Sequence, residues 1–502
     1  MNRSKPITGE LLALKNQIEG YAIEYGLDFF PQIFEVCDYD TVNILAAQGG
    51  FPSRYPHWRF GMDYDQLSKG YAYGLQKIYE MVINTDPCYA YLLQANNWVD
   101  QKIVMAHVYG HNDFFKNNAW FSTTNRKMMD VMANHGTKIR RYMERYGQDA
   151  VEVFIDRVLS LENLLDINEL FETPELKRRR SEGKEAQKGD AEGEFGVDDR
   201  SQALKAFMRT KSRGEKKEKD KSPAPDESPA EKVLTKPTRD ILGFLMEHAP
   251  IEEWQSDVIA CLREEAYYFL PQRITKIMNE GWASYWHSKI MTERALDASE
   301  IVEFADKHAG VMVMGRQSIN PYKVGIELMR DIEYRWNTGR FGKDYNECAS
   351  MHDKAKWDTK LMQGRAKIFE VRRSHNDISF IDEFLTPEFC ERQQLFTYKF
   401  NPRTGRNEID RRDFQAIKQK LLMQLTNFGQ PVIAVEDANF KNRRELLLRH
   451  THYGVDLDVQ YAQETLKNLH GIWRRPVNLA TIAEEKEVVF HYDGREFTGQ
   501  AV

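Results

Sequence analysis

Leu11, Leu12, Ile18, Tyr21, Ala22 and Tyr25 recur at helical spacing, which predicts an amphipathic helix over residues 6–26. The same periodicity predicts helices at 65–82, 98–118, 128–146 and 149–168. Strand-like alternation is scarce in this half. Residues 173–237 break the pattern, because charge is dense there and aliphatic side chains are few. Such a stretch buries too little apolar surface to offset its ordering entropy, so a disordered charged insertion is expected, with one short helix near 202–208. Loop-closure cost grows slowly with length, so the insertion can interrupt a single domain.

Helical patterning resumes at Arg239 and runs through 251–270, 273–293, 299–308 and 321–336. Pro271 is expected to mark a break. Gly310, Gly315, Asn320 and Pro321 define a loop, with Asn320 and Pro321 as the cap and first residue of the next helix. Beyond about residue 395 the pattern changes. Short apolar runs at 431–436, 445–450, 476–482 and 487–491 predict strands, 463–473 predicts a helix, and Asp493-Gly494 a turn. The expected fold class is mainly α. A large helical domain would comprise 1–172 and 238–395, interrupted by the insertion at 173–237, with a small α+β domain at 396–502.

Composition narrows the function classes. A net charge of -6 over 502 residues argues against general nucleic-acid binding. Five cysteines (Cys37, Cys88, Cys261, Cys348 and Cys390) form no CxxC pair, which points to a reducing compartment without a disulfide framework. The start of the chain lacks the apolar region of a secretory signal, and no stretch reaches about 18 consecutive apolar residues. A cytoplasmic protein without a transmembrane helix is expected. No phosphate-loop, GxGxxG or GxSxG signature is present.

The chemistry concentrates in two segments. His107 and His111 are four residues apart on a predicted helix and share a face. Glu280 and His287 are two turns apart on another predicted helix, with the small Ala283 and Ser284 between them on that face. Three imidazoles and a carboxylate on two facing helices make a transition-metal site plausible. The plainer alternative for the histidines is a hydrogen-bonded pair on a buried helix, and for Glu280 an ion pair with Arg273 or Lys276. Asn112, Asn117 and Asn118 follow His111 and suggest a working pocket, with His57 at its rim. Trp282 is either a wall of that pocket or a core residue. His450 and His452 are expected to be structural.

Tyr55-Pro56-His57-Trp58, the His107–Asn118 segment and Met278-Asn279-Glu280-Gly281-Trp282-Ala283 together resemble the SpoVR family, the stage V sporulation protein R-like proteins. The resemblance spans nearly the whole chain, and only the charged insertion is unmatched. It implies a role in spore cortex formation, in company with a serine protein kinase and a von Willebrand-type domain protein. It implies a cellular context rather than a reaction.

A second resemblance, shorter in extent, bears on chemistry. His107-x3-His111 and Glu280-Gly281-Trp282-Ala283 are similar to the ligand motifs of gluzincin metallopeptidases. This implies a gluzincin-like architecture in which His107, His111 and Glu280 hold Zn²⁺. His287 would act as a fourth ligand or as a proton-transfer group. The implied reaction is metal-assisted hydrolysis of an amide bond in a peptide or peptidoglycan precursor. The chain departs from the motif at Val108, where those enzymes carry the general-base Glu, and Gly110 rules out the inverted motif. The alternative is a non-catalytic regulator or scaffold in which any metal is a structural staple.

Overall fold

The computed structural model describes residues 4–72, 80–171, 237–314, 319–401 and 403–501. The expected insertion and its short helix lie outside the described residues, save for Pro237, as does Gly315. The chain groups into two compact units. One comprises residues 1–140 and 271–428, the other 141–270 and 429–502.

The first unit is built around helices α1 (Gly9–Glu24), α2 (Trp98–Asn117), α3 (Lys276–Ile290), α4 (Ile301–Val311), α5 (Pro321–Thr338), α6 (Gly364–Ser374) and α7 (Asp377–Phe384). Ile18, Tyr109, Trp282, Trp286, Ile332 and Phe380 belong to one continuous buried core. This unit also holds a sheet that the hydrophobic pattern did not reveal. Strands β1 (Lys5–Pro6), β2 (Gln32–Cys37), β3 (Glu80–Ile83) and β4 (Cys88–Leu93) pair in the order β1-β2-β4-β3, with β2 and β4 parallel. The central β4 is almost wholly buried, so its sequence is a short apolar run with no alternation to detect. The helix expected at 65–82 instead spans Trp58–Ala72, and Glu80–Ile83 is a strand. A hairpin of Thr397–Asn401 and Arg406–Arg411 was likewise not anticipated.

The second unit carries a five-stranded sheet of β5 (Ile433–Phe440), β6 (Glu445–His450), β7 (Val477–Ala483), β8 (Lys486–Tyr492) and β9 (Phe497–Ala501). The parallel strands β6 and β7 are linked through helix α8 (Val459–Trp473), which Asp458 caps. The remaining pairs are antiparallel. His450 bonds Thr481, and His452 bonds Asp456, within this unit.

Several helix limits follow from local chemistry. Asn97 caps α2 by accepting from the Asp100 N–H at 2.8 Å, and Asn118 ends it in an extended conformation. Asn320 caps α5, with Pro321 at its first position. Pro271 does not break its helix. It sits in the last turn of Glu253–Ile274, and the interruption comes at Thr275, where φ is −125°. Thr275 Oγ donates to the Pro271 carbonyl at 2.6 Å. None of the five cysteines is disulfide-bonded. Among the described residues no helix is long and apolar enough to cross a membrane.

Candidate metal centre

Missing side chains bring the two motif-bearing helices together. A Cβ built on Gly110 of α2 would stand 2.6 Å from the Cα of Ala283 on α3. On the other side of α3, a Cβ on Gly281 would stand 2.4 Å from the Gly325 backbone of α5. Both distances are far inside van der Waals contact, so these crossings need residues without side chains. The position where an inverted metallopeptidase motif would place Glu is therefore taken by helix packing.

At the first crossing, His107, His111 and Glu280 converge and are buried, with one ligand atom from each lying within 4.8 Å of the others. Glu280 Oε2 is 3.3 Å from His107 Nε2 and 3.5 Å from His111 Nε2. Ligands held about 2.1 Å from a tetrahedral ion stand roughly 3.4 Å apart, so these spacings suit zinc.

The outer atoms of all three residues are engaged. His111 Nδ1 lies 2.9 Å from Asn279 Oδ1, an acceptor, so Nδ1 carries the proton. With Asn279 Oδ1 as that acceptor, the Nε2 lone pair is turned toward the Glu280 carboxylate, and a cation between them satisfies both. His107 Nδ1 is 2.9 Å from His287 Nδ1, and His287 Nε2 is 3.2 Å from His308 Nδ1. With His107 donating from Nδ1 and His287 from Nε2, His107 Nε2 is left as a lone pair. The second carboxylate oxygen, Glu280 Oε1, accepts from Lys276 Nζ at 2.5 Å. The simple ion pair expected for Glu280 is thus present, and it occupies only one of the two oxygens.

Burial pushes His107 down to about 4, helped by the nearby His111, and pushes His287 well below its ordinary value. Burial alone would raise Glu280, but His111, His107 and Lys276 outweigh it and hold the carboxyl well below its usual range. Neutral imidazoles and an ionised carboxylate are the donors a divalent cation requires.

The other expected site residues lie elsewhere. His287 is behind His107, bonded to its outer nitrogen. His57 packs among Tyr55, Trp58 and Phe60, and its Nδ1 accepts from the Arg59 N–H at 3.3 Å. The asparagines expected to line a pocket clamp backbone instead. Asn112 accepts from the Phe30 N–H and donates to the Phe30 carbonyl, both at 2.9 Å. Asn117 donates to the carbonyl of Asp28 at 2.6 Å, and Asn118 to those of Arg372 and His375 at 2.7 and 2.9 Å. Trp282 is a core residue whose Nε1 donates to Asp113 at 2.8 Å. Asp113 also accepts from the Asp28 N–H and pairs with the buried Arg372.

Three contributors escaped the sequence reading. Asn279 is adjacent to Glu280, but polar neighbours of a Glu are too common to single out. His308 and Tyr322 come from α4 and α5. The Tyr322 ring stacks on His107, with centroids 6.1 Å apart and planes at 24°. No spacing rule links either residue to His107.

Fold and site together define a mainly helical protein with a buried His-His-Glu cluster at a helix crossing. The family description "SpoVR like protein" matches residues 7–430, and "SpoVR-like C-terminal domain" matches 431–484. The chain belongs to the SpoVR-like family. It is 29% identical over 498 residues to the Escherichia coli strain K12 protein printed as "Uncharacterized protein YcgB", covering 94% of this chain and 92% of that one. No solved structure matches. The likeness to gluzincin metallopeptidases therefore stays with two short motifs.

Proposed function

We propose that this chain binds one divalent cation, zinc in the first instance, through His107 Nε2, His111 Nε2 and Glu280 Oε2. The observation that carries the reading is His111. With its Nδ1 proton given to Asn279 Oδ1, its Nε2 lone pair is turned toward Glu280, the arrangement a shared metal ion would take. Three protein ligands, with His287 engaged behind His107, would leave a position open. That favours a metal-dependent hydrolase acting on an amide bond of a peptide or peptidoglycan precursor, and a role in spore cortex formation is proposed with it. Bound zinc would supply Lewis acidity and an acidified water there. Asn279 and His287 hold the imidazoles in the required orientation, and Lys276 holds the carboxylate.

A second reading is a non-catalytic regulator or scaffold, working with a serine protein kinase and a von Willebrand-type domain protein. It is favoured by one specific observation: Val108 is fully buried in the core, and among the described residues the cluster contains no carboxylate besides its own ligand. The deciding experiment is metal content by plasma mass spectrometry on untagged protein, beside His111→Ala and Glu280→Gln. Near-stoichiometric zinc that disappears in both variants supports the site. Equal metal content in all three proteins sinks it.

A further inference from the structure

We propose that the cavity beside His107 is a recognition pocket for an uncharged, branched aliphatic group. Its use as the specificity pocket for a substrate rests on the metal reading above; the pocket itself does not.

The cavity has a volume of about 140 Å³. One face of α2 forms its floor through Asp100, Ile103, Val104 and His107, at i, i+3, i+4 and i+7. His111 continues that face by one more turn, so a single helical stripe carries both the cavity wall and the ligand pair. Val311 of α4 and Tyr322 of α5 close the cavity from other sides, and Tyr322 stacks on His107. A group held there is separated from the Glu280 carboxylate by one imidazole.

The lining chemistry selects the ligand. The two charged residues, Asp100 and Lys307, are ion-paired to each other, and Lys307 Nζ also meets Asn97 at 3.1 Å and Glu303 at 3.3 Å. Neither charge is left to match a charged ligand. His287 is held between His107 and His308. What remains facing the space is aliphatic surface, the Tyr322 ring and the imidazoles of His107, His287 and His308, with aliphatic and ring carbon the larger share. A dry apolar cavity of about 150 Å³ takes up benzene, so this one has room for a group the size of a leucine side chain. Desolvating a charge against that aliphatic surface is unfavourable, so selection against charge is expected.

The pocket is tested first on metal-free protein, by titrating 4-methylpentanamide against 4-methylpentanoate and isopentylammonium. Binding is followed by calorimetry and by the histidine ring protons in NMR. The amide should bind saturably, at least tenfold tighter than either charged probe. Val311→Trp should remove this binding; Val311 is 43% exposed, so the larger ring can enter from the rim without displacing core. Ile103→Phe, at a half-buried position, is the second blocking variant. Equal affinity for all three probes, no saturable amide binding, or wild-type binding in both folded variants overturns the pocket.

The substrate role is tested on zinc-loaded protein with 4-methylpentanohydroxamate against acetohydroxamate. The branched chelator should bind at least tenfold tighter, and Val311→Trp should erase that preference while zinc content stays unchanged. Amide binding by a protein that takes up no zinc when zinc is supplied would sink the metal reading and leave the pocket standing. Stoichiometric zinc with no amide binding would do the reverse.

Discussion

His107 and His111 lie in the same helix as Asn112, Asp113 and Asn117, and all but Asn117 are buried. The two stretches differ in what their polar atoms face. Asn112 and Asp113 have their polar atoms bonded to the Asp28–Gln32 segment, Trp282 and Arg372. Each histidine has one nitrogen fixed by a neighbour and the other aimed at a shared carboxylate. A run of buried polar residues is therefore not in itself a site. Convergent lone pairs held by orienting partners are what set the histidines apart, while saturated polar groups act as clamps.

The comparison breaks most severely at Asp113. Asp113→Ala would leave the Arg372 guanidinium buried without its carboxylate, at a cost of roughly 3–5 kcal/mol. Denaturant unfolding should show that loss, while zinc per folded molecule stays unchanged. Loss of zinc from folded protein would merge the two stretches into one functional unit.

Asn112→Ala should cost about 2–3 kcal/mol, because two Phe30 backbone groups and Gln32 lose their partner. Zinc affinity should again be untouched. Asn279→Ala should give the opposite signature, with metal affinity falling about 10–100-fold and stability of the metal-free protein changing little. Competition with a zinc-binding dye measures the first, and thermal melting the second. Equal affinity in Asn279→Ala would remove Asn279 as an orienting partner.

The smallest effect per step of the experiment is a pH slope. Asp377 accepts from the N–H groups of Ile277 and Met278, capping α3 from another helix, and burial raises its carboxyl from 3.8 to about 7. The folded chain therefore binds a proton between pH 4 and 7 that the unfolded chain does not, so stability falls as pH rises through that window. Relative to Asp377→Asn, wild type should lose up to about 1.4 kcal/mol per pH unit there. Parallel pH profiles for the two proteins would exclude the contribution.

Much of this was legible beforehand. The helix expected at 98–118 is observed at Trp98–Asn117, and 128–146 matches Met128–Tyr146; the second carries strong 3.6-residue periodicity, whereas the first is a long apolar stretch buried on nearly every face. The strand at Glu445–His450 was found as a short leucine-rich run rather than by alternation. The first sheet was hidden because its strands are two to six residues long, and its central strand lacks alternation. Of the site, the spacing of His107 and His111 and the position of Glu280 were readable, since residues sharing a helix face follow from period alone.

Sequence alone determined the helical character of the core, the pairing of two histidines on one face and the family of the chain. Each depends on local periodicity or on contiguous motifs. Only the tertiary structure decided that Glu280 offers one oxygen to the histidines and the other to Lys276, that His287 stands behind His107, and that Asn112 and Asn118 are clamps. Those roles depend on which segment lies opposite, and Gly110, Gly281 and Gly325 set that by letting three helix backbones approach where any side chain would hold them apart.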